Sequence, residues 1–359
     1  MTKNDGFYHF DKMFDMGCTY NVAVGQRSNG KTYDIIDKAV EIFIKENIPS
    51  VYLRRWDEDL TIKNIFKLCD VHLPTLLHLS NGKYNKFMYT SRTFYMCYEN
   101  EKGEIENKSD PFLYCYSLNT WEHRKGQDIG NIYYIIFDEF ISRGKYIENE
   151  YEIFMNVLSS LIRFRDTAKI VMIANTVSKY CPYFDHFKID IKKIKQGTIS
   201  KFVYGQTTLA LEYCSANNVT SKVNKKYFDF PNKKLDMIKR GVWEIDSYAR
   251  LLNDVYKKCD KLNHIYINFS DVFLKWELLE TNDNLISFIR PVTENEIENE
   301  HYIITSDVDY LTFNKYSYAI FPKSKIIDLL LNTYDAKKMF YSTDDVGDMF
   351  ENFLKQMKY

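Results

Sequence analysis

Eight consecutive residues, Gly25-Gln26-Arg27-Ser28-Asn29-Gly30-Lys31-Thr32, constrain this chain more than any other feature. They match G-x-x-x-x-G-K-[ST], and their flanks match it too. The apolar run from Tyr20 to Val24 reads as a strand. Beyond the loop, Lys31 to Lys45 carries apolar residues at Ile35, Ile36, Ala39, Val40, Ile42 and Phe43, the spacing of one helix face. Strand, glycine loop and helix is the arrangement in which backbone N–H groups and a helix N-terminus surround phosphate oxygens. Lys31 would add positive charge at the β- and γ-phosphates and Thr32 a hydroxyl for Mg²⁺, so ATP and Mg²⁺ are the expected cofactors.

Hydrolysis needs more than a phosphate loop. Ile132 to Phe137 is a continuous apolar run, as in a buried parallel strand, and it ends in Asp138-Glu139. Asp138 is placed to hold Mg²⁺ through water and Glu139 to act as general base. An acidic pair at a strand end is also an ordinary helix start; the complete phosphate loop favours the catalytic reading, and the pair separates the chain from small-molecule kinases. A further run, Ile170 to Ala174, leads to Asn175, either a sensor of the γ-phosphate or a residue that turns the chain. Arg163 and Arg165 close the amphipathic stretch Tyr151 to Arg165. There they suit either an arginine finger offered to a neighbouring subunit or simple complement to the helix dipole, and Lys125 has the same ambiguity. Arg54 and Arg55 end the strand Ser50 to Leu53, near where nucleotide binds in such sheets, although an ion-pair role fits them as well.

These motifs indicate an α/β P-loop NTPase of the ASCE type, RecA/FtsK-like, with Tyr20 to Leu53 forming a parallel βαβ unit. The runs Phe87–Thr90, Phe94–Tyr98 and Phe112–Tyr116 are separated by turn residues and should add antiparallel strands. At 359 residues the chain has room for two domains. The expected division is an ATPase domain over 1–205, a basic linker over 206–240 and an α+β domain over 241–359. In the last domain, strands are expected at 264–269, 272–278, 285–289 and 302–305, and helices at 322–332 and 344–357.

Overall charge is −1, but residues 1–178, 179–240 and 241–359 carry −2, +8 and −7. The basic middle part is a candidate polyanion contact, with Lys192, Lys193, Lys225 and Lys226 its paired charges, although such stretches are more often merely solvated. The seven cysteines lack the close pairs of zinc or dithiol motifs. No run approaches a membrane span and the polar start is unlike a signal peptide, so an intracellular protein without a membrane partner is expected.

Taken together, NVAVGQRSNGKTY, VYLRRW, IIFDEF, LIRFRD and IVMIANTVSKYCPYF resemble, in order and spacing, the packaging ATPases, or encapsidation proteins, of small podoviruses with protein-primed genomes. The likeness covers most of the first 200 residues. It implies a homo-oligomeric ring, of five subunits, that sits on the capsid portal in the host cytoplasm and drives double-stranded DNA into the procapsid. By position, Arg163 matches the family's trans-acting arginine finger, Lys125 a second basic residue acting across the interface, and Arg54 the arginine after the second strand. Arg143 and Lys145, in the loop after Asp138-Glu139, would line the channel. The family's second domain resembles a vestigial RNase H-like nuclease; here Asn268 stands where a two-metal nuclease would carry an Asp, while Asp307 and Asp309 are acids of the kind it would need. A packaging RNA between ATPase and portal is a further partner used by some members.

Two other functions fit the same first domain. A helicase or recombination ATPase would be stimulated by DNA without needing capsids, and an ATP-switched binding protein would turn over almost no ATP even with DNA present.

Overall fold

The computed structural model describes residues 7–124, 129–163, 167–215, 231, 237, 240, 242–244, 246–270, 272–282, 284–298, 301–305, 310–311 and 316–357. Two compact units emerge. The first comprises Met1–Arg143, Asn149–Lys179 and Asp190–Glu244, the second Gly144–Glu148, Tyr180–Ile189 and Ile245–Tyr359. The sequence division is linear, whereas these units interleave: two short excursions within residues 1–205, Gly144–Glu148 and Tyr180–Ile189, count with the second unit.

The first unit is built on a nine-stranded sheet. Its strands are β1 (Tyr20–Gly25), β2 (Ser50–Arg54), β3 (Lys86–Thr90), β4 (Thr93–Glu99), β5 (Ile105–Ser117), β6 (Tyr134–Asp138), β7 (Lys169–Asn175), β8 (Thr198–Tyr204) and β9 (Thr207–Tyr213). They lie in the order β3-β4-β5-β2-β6-β7-β1-β9-β8. From β5 to β9 every pairing is parallel. Central strands such as Tyr-Ile-Ile-Phe-Asp in β6 are buried along their whole length, which is why they read as unbroken apolar runs. Helix α1 (Lys31–Glu46) buries Ile35, Ile36, Ala39, Val40 and Phe43, the stripe expected from their spacing.

Two expectations need correction. β1 and β2 are parallel members of one sheet but not neighbours, because β6 and β7 lie between them. The residues assigned to the start of the linker, from 207, instead form β9, which pairs with β1, and β8 folds back on it through a turn at Gly205, whose φ is +60°. The consecutive apolar core of β9 is Leu209, Ala210 and Leu211, with Tyr213 buried two residues on, too short a run to stand out.

The second unit holds a six-stranded sheet. Strands β10 (Asp260–Phe269), β11 (Val272–Thr281) and β12 (Asn284–Val292) form an antiparallel meander. β13 (Ile303–Thr305) is parallel to β10, β14 (Ser317–Tyr318) to β13, and β15 (Met339–Tyr341) to β12. Helix α2 (Glu150–Ile162) belongs to the first unit; α3 (Lys325–Asp335) and α4 (Asp344–Gln356) belong to the second. Both of the latter begin with a side-chain cap, Ser324 accepting from the Ile327 N–H and Thr343 from the Val346 N–H. They cover one sheet face, burying Ile265, Ile267, Leu274 and Trp276 against Leu330, Phe350 and Phe353. Among the described residues, no helix is long and apolar enough to cross a membrane.

Candidate nucleotide site

Because β2, β6, β7 and β1 are parallel, their C-terminal ends fall on one sheet edge, the edge at which ligands bind in open α/β sheets. Arg54, Asp138, Asn175 and Gly25 terminate those four strands. Gly25 has no room for a side chain, since a Cβ there would stand 2.7 Å from the Cβ of Cys214. Gly30 adopts φ +99°, which only glycine reaches without strain, and it starts α1. The loop between them borders a cleft of about 630 Å³ lined by Ser28, Asn29, Gly30, Lys31 and Thr32, by Asp138 and Glu139, and by Asn175.

Within the cleft, the Lys31 ammonium is buried and folds back on its own loop, donating to the carbonyl of Gln26 at 2.9 Å and to Asn29 Oδ1 at 3.1 Å. Burial lowers its pKa. The Thr32 hydroxyl donates to Asp138 Oδ2 at 3.1 Å, and the Tyr52 hydroxyl donates to the same oxygen at 2.9 Å. Burial raises the pKa of Asp138, against the opposing charge of Arg54 and the bond from Tyr52. Burial and then the Asp138 charge hold Tyr52 protonated, well above its ordinary range, so it stays a donor.

Glu139 occupies the left-handed region, φ +61°, unusual for a residue with a side chain. Two contacts fix that turn. Its N–H donates to the Ile173 carbonyl at 2.8 Å, and its own carbonyl accepts from Arg55 Nη1 at 3.0 Å. Its carboxylate is half-exposed and paired with Arg54 Nη2 at 2.6 Å. Arg54 also reaches Asp59 at 3.2 Å and stands 3.9 Å from Asp138. Burial opposes its charge, but Tyr52, Asp138, Glu139 and Asp59 outweigh that and raise its pKa. The cleft lining also includes Phe7, Tyr8 and Tyr33; Tyr8 lies against the loop, its N–H donating to the Asn29 carbonyl at 2.8 Å, and the Tyr33 ring packs on His72 at 4.3 Å.

A family model described as the podovirus DNA encapsidation protein (Gp16) matches residues 1–236. This chain belongs to that family. Among curated proteins, the DNA packaging protein of Bacillus phage phi29 is 26% identical over 193 residues, covering 52% of each chain. That of Bacillus phage B103 is 28% identical over 179 residues, 48% of this chain and 50% of its own. The chain thus spans about half the length of the curated relatives it matches. In structure it is similar to the phi28 gp11 DNA packaging motor, with a TM-score of 0.56 at 15% identity over 99% of both chains. A second similarity, to the phi29 viral genome packaging motor assembly, has a TM-score of 0.53 at 17% identity over 98% of this chain and 99% of that one.

The other candidate residues of this encapsidation-family chain are not among the cleft's lining residues or fall outside the described residues. Arg163 caps the C-terminus of α2 at φ +31°; it is exposed and is not part of the cleft lining. Arg143 is paired with the buried Glu244, so its charge is partly committed. Lys145 is exposed and belongs to the second unit. Lys192 and Lys193 sit on a short turn of 3₁₀ helix capped by Asp190, which pairs with Lys193 at 3.1 Å. Arg27 is exposed at the loop's outer side. Lys125, Arg165, Lys225, Lys226, Asp307 and Asp309 fall outside the described residues. Sequence reading missed Tyr52 as a partner of Asp138 and the aromatic residues of the cleft lining. Tyr52 stands in VYLRRW and Tyr33 closes NVAVGQRSNGKTY, inside the motifs but at positions whose role only the fold reveals, while Phe7 and Tyr8 precede the first strand.

Proposed function

We propose that this chain is an ASCE-type ATPase that uses ATP hydrolysis to translocate double-stranded viral DNA into a procapsid. The observation that carries the reading is the convergence of Lys31, Thr32, Asp138 and Glu139 on one cleft in a member of the encapsidation family. The name ASCE denotes an additional strand beside a catalytic glutamate, and β7, lying between β1 and β6, supports that class. The oxygen donors Thr32 and Asp138 suit Mg²⁺, which would neutralise charge on the β- and γ-phosphate oxygens when bound with ATP. Lys31 exchanges its loop acceptors for those oxygens, the helix N-terminus and the loop N–H groups from Gly25 to Thr32 hold the phosphates, and the aromatic rings of the lining, Phe7, Tyr8 and Tyr33, are the candidate contacts for the base. Glu139 polarises the attacking water once it leaves Arg54, and Asn175 contacts the γ-phosphate or that water. Arg54 thus keeps the base out of action between turnovers.

In this reading the chain works as a ring of five on the portal vertex, in the host cytoplasm and only during packaging. Arg163 and Lys125 act on the neighbouring subunit's nucleotide, which accords with Arg163 being exposed and absent from the cleft of its own chain. Arg143, Lys145, Lys192, Lys193, Lys225 and Lys226 are the candidate phosphate contacts on DNA. A packaging RNA is a further candidate partner at the portal. The second unit is a vestigial RNase H-like nuclease, a reading supported by its antiparallel meander β10-β11-β12 with β13 and β14 added in parallel beside β10. Asn268, not an acid, is the penultimate residue of β10, beside Thr305 of β13.

The test is an ATPase rate measured for the chain alone, with double-stranded DNA, and with portal-bearing capsids; full rate is expected only with the last two together. Glu139→Gln should bind ATP normally and lose hydrolysis, whereas Lys31→Ala should lose binding. Stimulation by DNA that is indifferent to capsids would instead make the chain a helicase-like ATPase.

A further inference from the structure

We propose that His264, Glu298 and His301 form a binding site for a zinc-class divalent ion in the second unit. The residues converge for reasons of topology. His264 and Tyr266 alternate with the core residues Ile265 and Ile267 along β10 and so face away from α3 and α4. The connection from β12 to β13 passes over this face, where the Tyr266 hydroxyl donates to the Glu296 carbonyl and accepts from the Glu298 N–H, each at 3.2 Å. That connection carries both Glu298 and His301.

One ligand atom from each of the three residues lies within 4.8 Å of the other two. His264 Nε2 is 3.7 Å and His301 Nε2 is 4.0 Å from the same oxygen, Glu298 Oε2. Lys275 holds the other carboxylate oxygen at 3.1 Å, which keeps Oε2 turned toward the rings. His264 Nε2 is fully buried and makes no hydrogen bond. An imidazole and a carboxylate that served only each other would close to hydrogen-bond length, about 2.8 Å.

Two imidazole nitrogens and one carboxylate oxygen with a fourth position open is a zinc-type donor set, while Mg²⁺ would require oxygens. Bonds of roughly 2.0–2.2 Å put tetrahedral ligand atoms about 3.4 Å apart, so the two nitrogen–oxygen separations of 3.7 and 4.0 Å must close by about 0.3 and 0.6 Å. The rings are now stacked, centroids 4.1 Å apart and 10° between planes. Turning His301 about its Cβ–Cγ bond, a broad torsion, aims both nitrogens at one point. The site lies four residues from Asn268, roughly 13 Å along β10 from the position of a nuclease acid, near the middle of the strand. A bound ion would fasten the 293–302 connection to the sheet.

Full-length protein without nucleotide should take up one Co²⁺ with the intense visible bands of four-coordinate geometry, and Zn²⁺ but not millimolar Mg²⁺ should displace it. His264→Ala and His301→Ala should each weaken uptake roughly 100-fold or more, Glu298→Gln somewhat less. Zn²⁺ should raise the thermal midpoint of the wild type and of none of the three variants. Folding of each variant is verified by unchanged ATP binding and circular dichroism, and His301→Ala, on a partly exposed loop residue, guards against a misfolded His264 variant. Failure of the wild type to take up Co²⁺ or Zn²⁺ at tens of micromolar, or uptake that survives in folded His264→Ala and His301→Ala, overturns the proposal.

Discussion

The buried pair Arg55–Glu150 offers the sharpest test of how this fold positions its glutamate. The side chains are 5% and 2% exposed and meet through two bonds, Nε to Oε2 at 2.7 Å and Nη2 to Oε1 at 2.8 Å. The same guanidinium donates to the carbonyls of Glu139 at 3.0 Å and Phe140 at 2.7 Å. Arg55→Met removes the guanidinium that bonds both carboxylate oxygens of Glu150, and breaking a buried pair by removing one partner destabilises by about 3–5 kcal/mol. For a unit of this size that is a fall of roughly 6–20 °C in thermal midpoint. Adding Glu150→Leu removes the buried charge that remains. The double variant should then remain only about 1–3 kcal/mol below wild type, chiefly for the two carbonyls left without a donor. The pair should therefore couple by about 2 kcal/mol or more.

Hydrogen exchange of the β2 and β6 amides is the appropriate assay, because it reads the first unit alone where a whole-chain melt would mix two units. In the double variant, nucleotide should bind as in wild type while turnover falls at least tenfold, since the left-handed turn at Glu139 has lost its clamp. Coupling below about 0.5 kcal/mol would refute the electrostatic argument. A double variant that is stable and hydrolyses at the wild-type rate would refute the positioning argument.

Other outcomes follow from the same geometry. The pKa of Asp138 is raised on folding, so its charge opposes the fold at pH values above that raised pKa, and the opposition disappears as pH falls through it. Asp138→Asn should accordingly raise the nucleotide-free thermal midpoint at pH 7, show a smaller gain toward acid pH, and abolish Mg²⁺-dependent turnover; a lowered midpoint at pH 7 would contradict this. DNA affinity should fall steeply with salt and ignore sequence, and neutralising Lys145, Lys192 and Lys193 together should flatten the salt slope by up to about 3, whereas an unchanged slope would move the contact to other residues. Arg163→Ala should lower turnover by about 10³-fold or more with ATP binding intact, and rings mixed with Glu139→Gln subunits should regain activity; mixtures no faster than either variant, despite subunit exchange, would deny action in trans.

What was legible in the sequence was chemistry confined to a few consecutive residues. The phosphate loop needs glycine at two places for steric reasons, a close approach to Cys214 and a left-handed φ, and both glycines sit within one octapeptide. Asp138 and Glu139 are likewise adjacent and follow an apolar strand. The clamp that holds Glu139 is different. Arg55 comes before the site by 84 residues and its partner Glu150 lies 95 residues beyond Arg55, so no window contains the arrangement. An arginine at a strand end reads the same whether it faces water or closes a buried pair.

Strand order explains the remaining misreading. Hydrophobic patterning locates β1, α1 and β2 but does not say which edge of β1 the chain returns to, and although consecutive strands more often neighbour one another, a crossover helix also connects strands further apart. In this chain β7 pairs with β1 from Tyr20 to Gly25, and β9 takes the other edge from Tyr20 to Val24. With both edges filled, β2 has no place beside β1 and pairs with β5 and β6 instead. That displacement sets the spacing of the site. Because β2 borders β6, Tyr52 and Arg54 reach Asp138 and Glu139 directly, and because β7 borders β1, Asn175 stands in register with Gly25. A β2 placed against β1 would carry Arg54 toward the phosphate loop and away from the glutamate it holds.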